Sequence, residues 1–101
     1  MEINIVGEKQ FAEEVLSYNG VVVVDFYGTW CMPCKMLAPI VEKVCKEKEI
    51  KLAKVDIDEN EALVRKFGLM SVPTLKIFKD GVESGTSVGV INEQQLLDLI
   101  K

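Results

Sequence analysis

Val21-Val22-Val23-Val24-Asp25-Phe26-Tyr27-Gly28-Thr29-Trp30-Cys31-Met32-Pro33-Cys34-Lys35 decides the reading of this chain. Residues Val21 to Tyr27 are apolar and mostly β-branched, as expected of a central strand buried on two sides. A helix is predicted after it, from about Pro33 to Lys48, because Leu37, Ile40, Val41 and Val44 repeat at i, i+3, i+4 and i+7. A Cys-x-x-Cys therefore lies where a central strand hands over to a helix.

Strand and helix signals alternate on either side of this segment. Ile3 to Val6 reads as a short strand, and Phe11 and Val15, four apart, as one face of a helix stopped by Asn19-Gly20. Lys51 to Ile57 is a further strand, and Asn60 to Phe67 a short helix ended by Gly68. Thr74 to Lys79 and Val82 to Val88 flank Asp80-Gly81, a hairpin signal because Gly tolerates the positive φ of a tight turn. Asn92 opens a last helix, with Gln95 placed as in a capping box and Leu96, Leu97 and Ile100 expected to face inward. The order is β-α-β-α-β-α-β-β-α. Alternation requires parallel crossovers, the final hairpin adds an antiparallel edge, and an α/β fold with helices on both faces of a mixed sheet follows.

The chain has 101 residues, less than a typical domain of about 150, and one domain over 1–101 is expected. Its net charge of −4 lacks the basic footprint that phosphate-backbone binding needs, so no nucleic-acid partner is expected. The longest aliphatic run, Val21 to Val24, is far short of the roughly 20 residues that span a membrane. Met1-Glu2-Ile3-Asn4 has neither the basic nor the apolar region of a signal peptide, and a cytoplasmic location is the expectation. Three cysteines do not describe a disulfide-stapled secreted scaffold, and zero histidines exclude Ser-His and Cys-His catalysis.

A Cys31 at the helix N-terminus would meet unpaired N–H groups and the positive end of the macrodipole, both of which favour a thiolate. Pro33 fits the first turn, where its missing N–H has no intrahelical acceptor. Cys34, one turn further, should be more shielded and act as the resolving thiol. Two other readings remain open at this point: half of a zinc site, which would need ligands from elsewhere, or a buried inert pair. Cys45 lies eleven residues beyond Cys34, roughly 16 Å along a helix and outside disulfide reach, and reads as a core or edge residue. Pro39, inside the same helix, should kink it near Lys35 and aim its first turn.

The stretch from Val24 to Pro39 resembles the thioredoxin family, whose usual motif reads Trp-Cys-Gly-Pro-Cys-Lys. The likeness continues through Ala53-Lys54-Val55-Asp56-Ile57-Asp58, Ser71-Val72-Pro73-Thr74, Phe78-Lys79-Asp80-Gly81 and Val88-Gly89, in family order and over essentially the whole chain. The resemblance implies a thioredoxin fold, a mixed five-stranded sheet with four flanking helices. It implies a protein-disulfide oxidoreductase in which Cys31 attacks a client disulfide and Cys34 resolves the mixed disulfide, closing a Cys31–Cys34 bond. Asp25 would be the proton acceptor for Cys34, Lys54 its partner, and Pro73 a cis-proline packed on the cysteines. Trp30, Met32, Val72, Pro73, Val88 and Gly89 would line the client groove, the Val72 backbone pairing with an extended segment. The implied partners are a thioredoxin reductase as electron donor and disulfide-containing clients of a monomeric protein. No cofactor or metal is implied. Met32 replaces the family's usual Gly, Tyr27 stands where a second Trp is frequent, and Ser71 where Gly is frequent. Two rivals are a glutathione-dependent exchanger, opposed by Trp30, Asp25 and Pro33, and a binding subunit with idle thiols.

Overall fold

Strand β2 (Val21–Tyr27) runs through the middle of the sheet in the computed structural model, which describes residues 1–101. Val22 to Phe26 are all buried, as a strand without polar alternation requires. On one side β2 pairs in parallel with β3 (Lys51–Asp56), which pairs in parallel with β1 (Glu2–Ile5). On the other side β2 pairs antiparallel with β4 (Thr74–Lys79), which turns back into β5 (Val82–Val88). The order β1-β3-β2-β4-β5 is set by tertiary pairing, since nothing local places β3 between β1 and β2.

Four helices flank the five strands, as expected: α1 (Glu8–Phe11, continued as a π-helical turn over Ala12–Leu16), α2 (Met32–Glu47), α3 (Glu61–Phe67) and α4 (Glu93–Ile100). The wide turn in α1 keeps both Phe11 and Val15 in the core. Near its end the Glu14 carbonyl, one of the last of the helix, accepts from the buried Lys51 Nζ at 2.8 Å, while the Glu14 carboxylate pairs with the same ammonium at 2.7 Å. The strand expected over Lys51 to Ile57 ends at Asp56. There the Asp56 carboxylate accepts from Asp58 N at 3.0 Å and a 3-10 turn (Ile57–Glu59) begins. The hairpin turn forms as predicted, with Asp80 and Gly81 at φ 50° and 81°. Asn92 and Gln95 form the reciprocal capping box that opens α4. Within α4, Leu96 is fully buried, while Leu97 and Ile100 are half-buried against the core.

Alternation along β2 divides the interior. Val22, Val24 and Phe26 pack with Phe11, Val15, Leu63 and Phe78 beneath α1 and α3. Val23 packs with Leu37, Val41, Val44 and Leu96 beneath α2 and α4. With a side-chain period of two, residue 25 falls on the α2 face. No helix is long and apolar enough to cross a membrane.

Asn60 ties the β1 and β3 ends together. It is 3% exposed; its Nδ2 donates to the Ile5 and Asp56 carbonyls at 3.0 and 2.9 Å, and its Oδ1 accepts from Gly7 N at 2.8 Å. The sequence marks Asn60 only as a helix start. Removing the amide strands buried backbone groups, so Asn60→Ala should cost about 3 kcal/mol of stability. Urea denaturation measures this, and a loss comparable to that of an exposed surface substitution would contradict it.

Candidate active site

Cys31 is the N-cap of α2, with extended backbone (φ −90°, ψ 110°) and an Sγ that accepts from Cys34 N at 3.2 Å. The N–H that meets this sulfur is one of those left unpaired at a helix start, and it stabilises negative charge there. Pro33 occupies the first turn without loss of a hydrogen bond. Cys31 and Cys34 are joined as a disulfide, with Cα atoms 5.3 Å apart, well inside the usual range. With both sulfurs bonded to each other the pair offers no thiolate to a metal in this oxidised state, and no three Cys, His, Asp or Glu side chains gather in one cluster. Cys34 is not markedly more shielded than Cys31 in this oxidised state: they are 4% and 5% exposed. The reason is the loop over Cys31, whose Sγ lies 3.9 Å from the Val72 carbonyl oxygen. α2 continues through Pro39, with the helix unbroken from Met32 to Glu47.

The Val72–Pro73 peptide is cis, as the resemblance implies. The Pro73 carbonyl accepts from Gly89 N at 2.9 Å, which draws the Val88-Gly89 segment to the same loop. Thr74 Oγ1 donates to the Ser71 carbonyl at 2.8 Å and secures the loop from its other end. Trp30 is largely exposed beside Cys31, held by a 2.9 Å bond from its Nε1 to Asp58 Oδ2. Gly28 makes that pose possible, because a Cβ there would lie 2.7 Å from Trp30 Cε2. Met32 and Val88 are exposed too. Of the expected groove residues, Trp30, Val72, Pro73, Val88 and Gly89 are linked by these bonds and by chain neighbourhood around Cys31. Asp58 and Gly28 are supporting residues that sequence reasoning missed; the aromatic between Gly28 and Cys31 was the only local signal.

Asp25 is 2% exposed on the α2 face of the sheet, and its Oδ1 has no hydrogen-bond partner within the protein. Its Cα partner across the ladder is Lys54. A cleft of 240 Å³ joins Asp25, Cys34, Lys35, Tyr27 and Lys54, room enough for water between carboxyl and sulfur. Burial pushes the Asp25 pKa up from 3.8 to about 6, against the opposing pull of Lys54. Lys54 forms its ion pair elsewhere, with Glu42 at 3.5 Å. Cys45 lies buried on the far half of α2, and burial pushes its thiol up to about 12, so it stays protonated.

A vicinal cysteine pair that closes and reopens at a helix N-terminus is a two-electron couple, and proteins built around one are thiol-disulfide oxidoreductases. The Thioredoxin family model matches residues 2–101. The chain is 42% identical over 97 residues to a thioredoxin of Rickettsia bellii, covering 94% of this chain and 92% of that one. It is 45% identical over 84 residues to a thioredoxin of Bacillus subtilis, covering 81% of each. A solved mutant thioredoxin from Halobacterium salinarum superimposes with a TM-score of 0.90 at 41% identity, covering 98% of this chain and 87% of that one. The chain belongs to the thioredoxin family and is a thiol-disulfide oxidoreductase with Cys31–Cys34 as its redox disulfide.

Between pH 3.8 and about 6 the folded oxidised protein holds one Asp25 proton more than the unfolded chain, so stability must fall as pH rises through that interval. Asp25→Asn has no such loss. Relative to wild type, the variant should gain up to about 3 kcal/mol between the acid and neutral ends of the interval. Denaturation at both ends checks the sign; a constant difference would mean that Asp25 titrates normally.

Proposed function

We propose that the protein reduces disulfides in client proteins, with Cys31 as nucleophile, Cys34 as resolving thiol and Asp25 as proton acceptor. The observation that carries this reading is the Cys31–Cys34 disulfide at the N-cap of α2, beside a buried carboxyl of raised proton affinity. In the reduced protein the Cys31 thiolate attacks one client sulfur, and the other leaves as a thiolate. Asp25 takes the Cys34 proton through water, and the Cys34 thiolate attacks Cys31 Sγ. The second client thiolate departs, the Cys31–Cys34 bond closes, and two electrons have passed to the client. Lys54, the ladder partner of Asp25, acts on it through space without an ion pair, its attraction opposing the effect of burial.

The client segment would lie in the shallow surface bounded by Trp30, Met32, Val72, Pro73, Val88 and Gly89. Its support is the exposure of Trp30, Met32 and Val88 beside a sulfur that must meet a second chain. Met32 adds an adaptable apolar contact where Gly would add none. The thioredoxin family generally acts with a thioredoxin reductase and disulfide-containing clients, and we assign both partners to this chain. A dithiol carrier has to be kept reduced, which favours the cytoplasm. Residues 1–101 would act as one domain and as a monomer.

Cys31→Ser should abolish insulin-disulfide reduction, and Cys34→Ser should accumulate a mixed disulfide between Cys31 and the client. Asp25→Asn should slow resolution of that mixed disulfide at neutral pH at least about tenfold. Stopped-flow measurement of client release gives the rate, and an unchanged value would remove Asp25 from the proton path.

A further inference from the structure

The cleft beneath the cysteines contains a charge arrangement that the exchange chemistry above does not use. Asp25 and Lys54 are ladder partners on β2 and β3, the obvious candidates for an ion pair. They do not make one. Lys54 Nζ instead lies 3.5 Å from Glu42 Oε2, on the solvent side of α2, and 5.2 Å from the centroid of the Tyr27 ring. Asp25 keeps an oxygen with no hydrogen bond in the protein.

We infer that Glu42 is a positioning residue for Asp25: its carboxylate holds the Lys54 ammonium against Tyr27 and leaves the buried carboxyl without a counter-ion. The inference rests on the reading of Asp25 as proton acceptor for its consequence, though not for its test. A carboxylate tightly paired with an ammonium gives up its proton at low pH and is a poor acceptor near neutrality. Glu42 works against that pairing in two ways, by competing for Lys54 and by repelling the Asp25 carboxylate through space. Both raise the proton affinity of Asp25, in the same direction as its burial.

The other groups facing Asp25 do not reproduce this. Glu2 on β1 is an exposed like charge. Tyr27 on β2 receives Lys54 through its ring face, and burial holds its hydroxyl protonated to higher pH than usual. Leu75 on β4, the ladder partner on the other side, is apolar. From α2, Cys34 and Lys35 line the cleft; Lys35 is exposed and is not among the charges that act on Asp25, and Cys45, buried and held protonated, adds no charge. Only Glu42 pairs with the lysine. Its side chain is 45% exposed and that of Lys54 17%, so replacing Glu42 leaves the core intact.

Carboxyl-resolved NMR titration of the oxidised protein tests the inference. The set is wild type, Glu42→Gln, Lys54→Met and the double variant, with Glu42→Asp as the conservative control. Glu42→Gln should move the Asp25 midpoint at least about half a pH unit lower, the size of a partly exposed pair interaction. Glu42→Asp should restore part of the difference. In the Lys54→Met background the same Glu42→Gln change should be clearly smaller, because no ammonium remains to be released. An unchanged midpoint, or an equal change in both backgrounds, would overturn the inference. The pH profile of mixed-disulfide resolution in the same variants keeps the two ideas apart. If the Asp25 midpoint moves and the profile does not, Glu42 still positions Lys54 and Asp25 is not the acceptor.

Discussion

Burial of β2 on both faces is the constraint on which the rest of the molecule depends. A strand covered on both sides has no solvent face on which to place an ionisable residue, so the side-chain period of two directs Asp25 into the layer beneath α2. The same strand ends at Tyr27, and the four residues Gly28 to Cys31 carry the chain into the N-cap of α2. Buried carboxyl and reactive sulfurs are therefore brought together by one short continuous segment. A one-residue slip of β2 against its neighbours would turn Asp25 to the opposite core and separate it from Cys34.

The helix start then determines what the sulfurs do. The N–H of Cys34 that meets Cys31 Sγ in the disulfide is oriented to stabilise a thiolate at the same position when the bond is open. The cis peptide at Val72–Pro73 brings the Val72 carbonyl over Cys31, and the Pro73–Gly89 bond joins the end of β5 to that loop. On our proposal this is the side of the site that would receive an extended client segment, beside a proline that has no N–H of its own.

Electrostatically the cleft favours proton storage over salt-bridge stability. Pairing Asp25 with Lys54 would stabilise the fold at neutral pH, yet the ammonium is engaged by Glu42 and Tyr27. The buried lysine at the far end of β3 shows the contrast. Lys51 is fully partnered by the Glu14 carboxylate and carbonyl and by the Tyr18 ring, as a structural buried cation should be. Two lysines on one strand thus have opposite assignments, and the one beside the cysteines is withheld from its neighbour.

Much of this was legible in the sequence. The unbroken apolar run of β2, the helical spacing of Leu37, Val41 and Val44, the Asp80-Gly81 turn and the Asn92–Gln95 box are local signals, each tied to the backbone geometry of its own segment. The position of the Cys-x-x-Cys at a strand-to-helix junction is local too, which is why its chemistry could be read before any fold was known. Tertiary structure alone decided the strand order, the pairing of Lys51 with the Glu14 carbonyl at the end of α1, the Asn60 bonds across the ends of β1 and β3, and the diversion of Lys54 to Glu42. Those features join residues distant in sequence, and their energy comes from satisfying polar groups that burial has removed from water. No pattern within a single segment records which distant partner will do so.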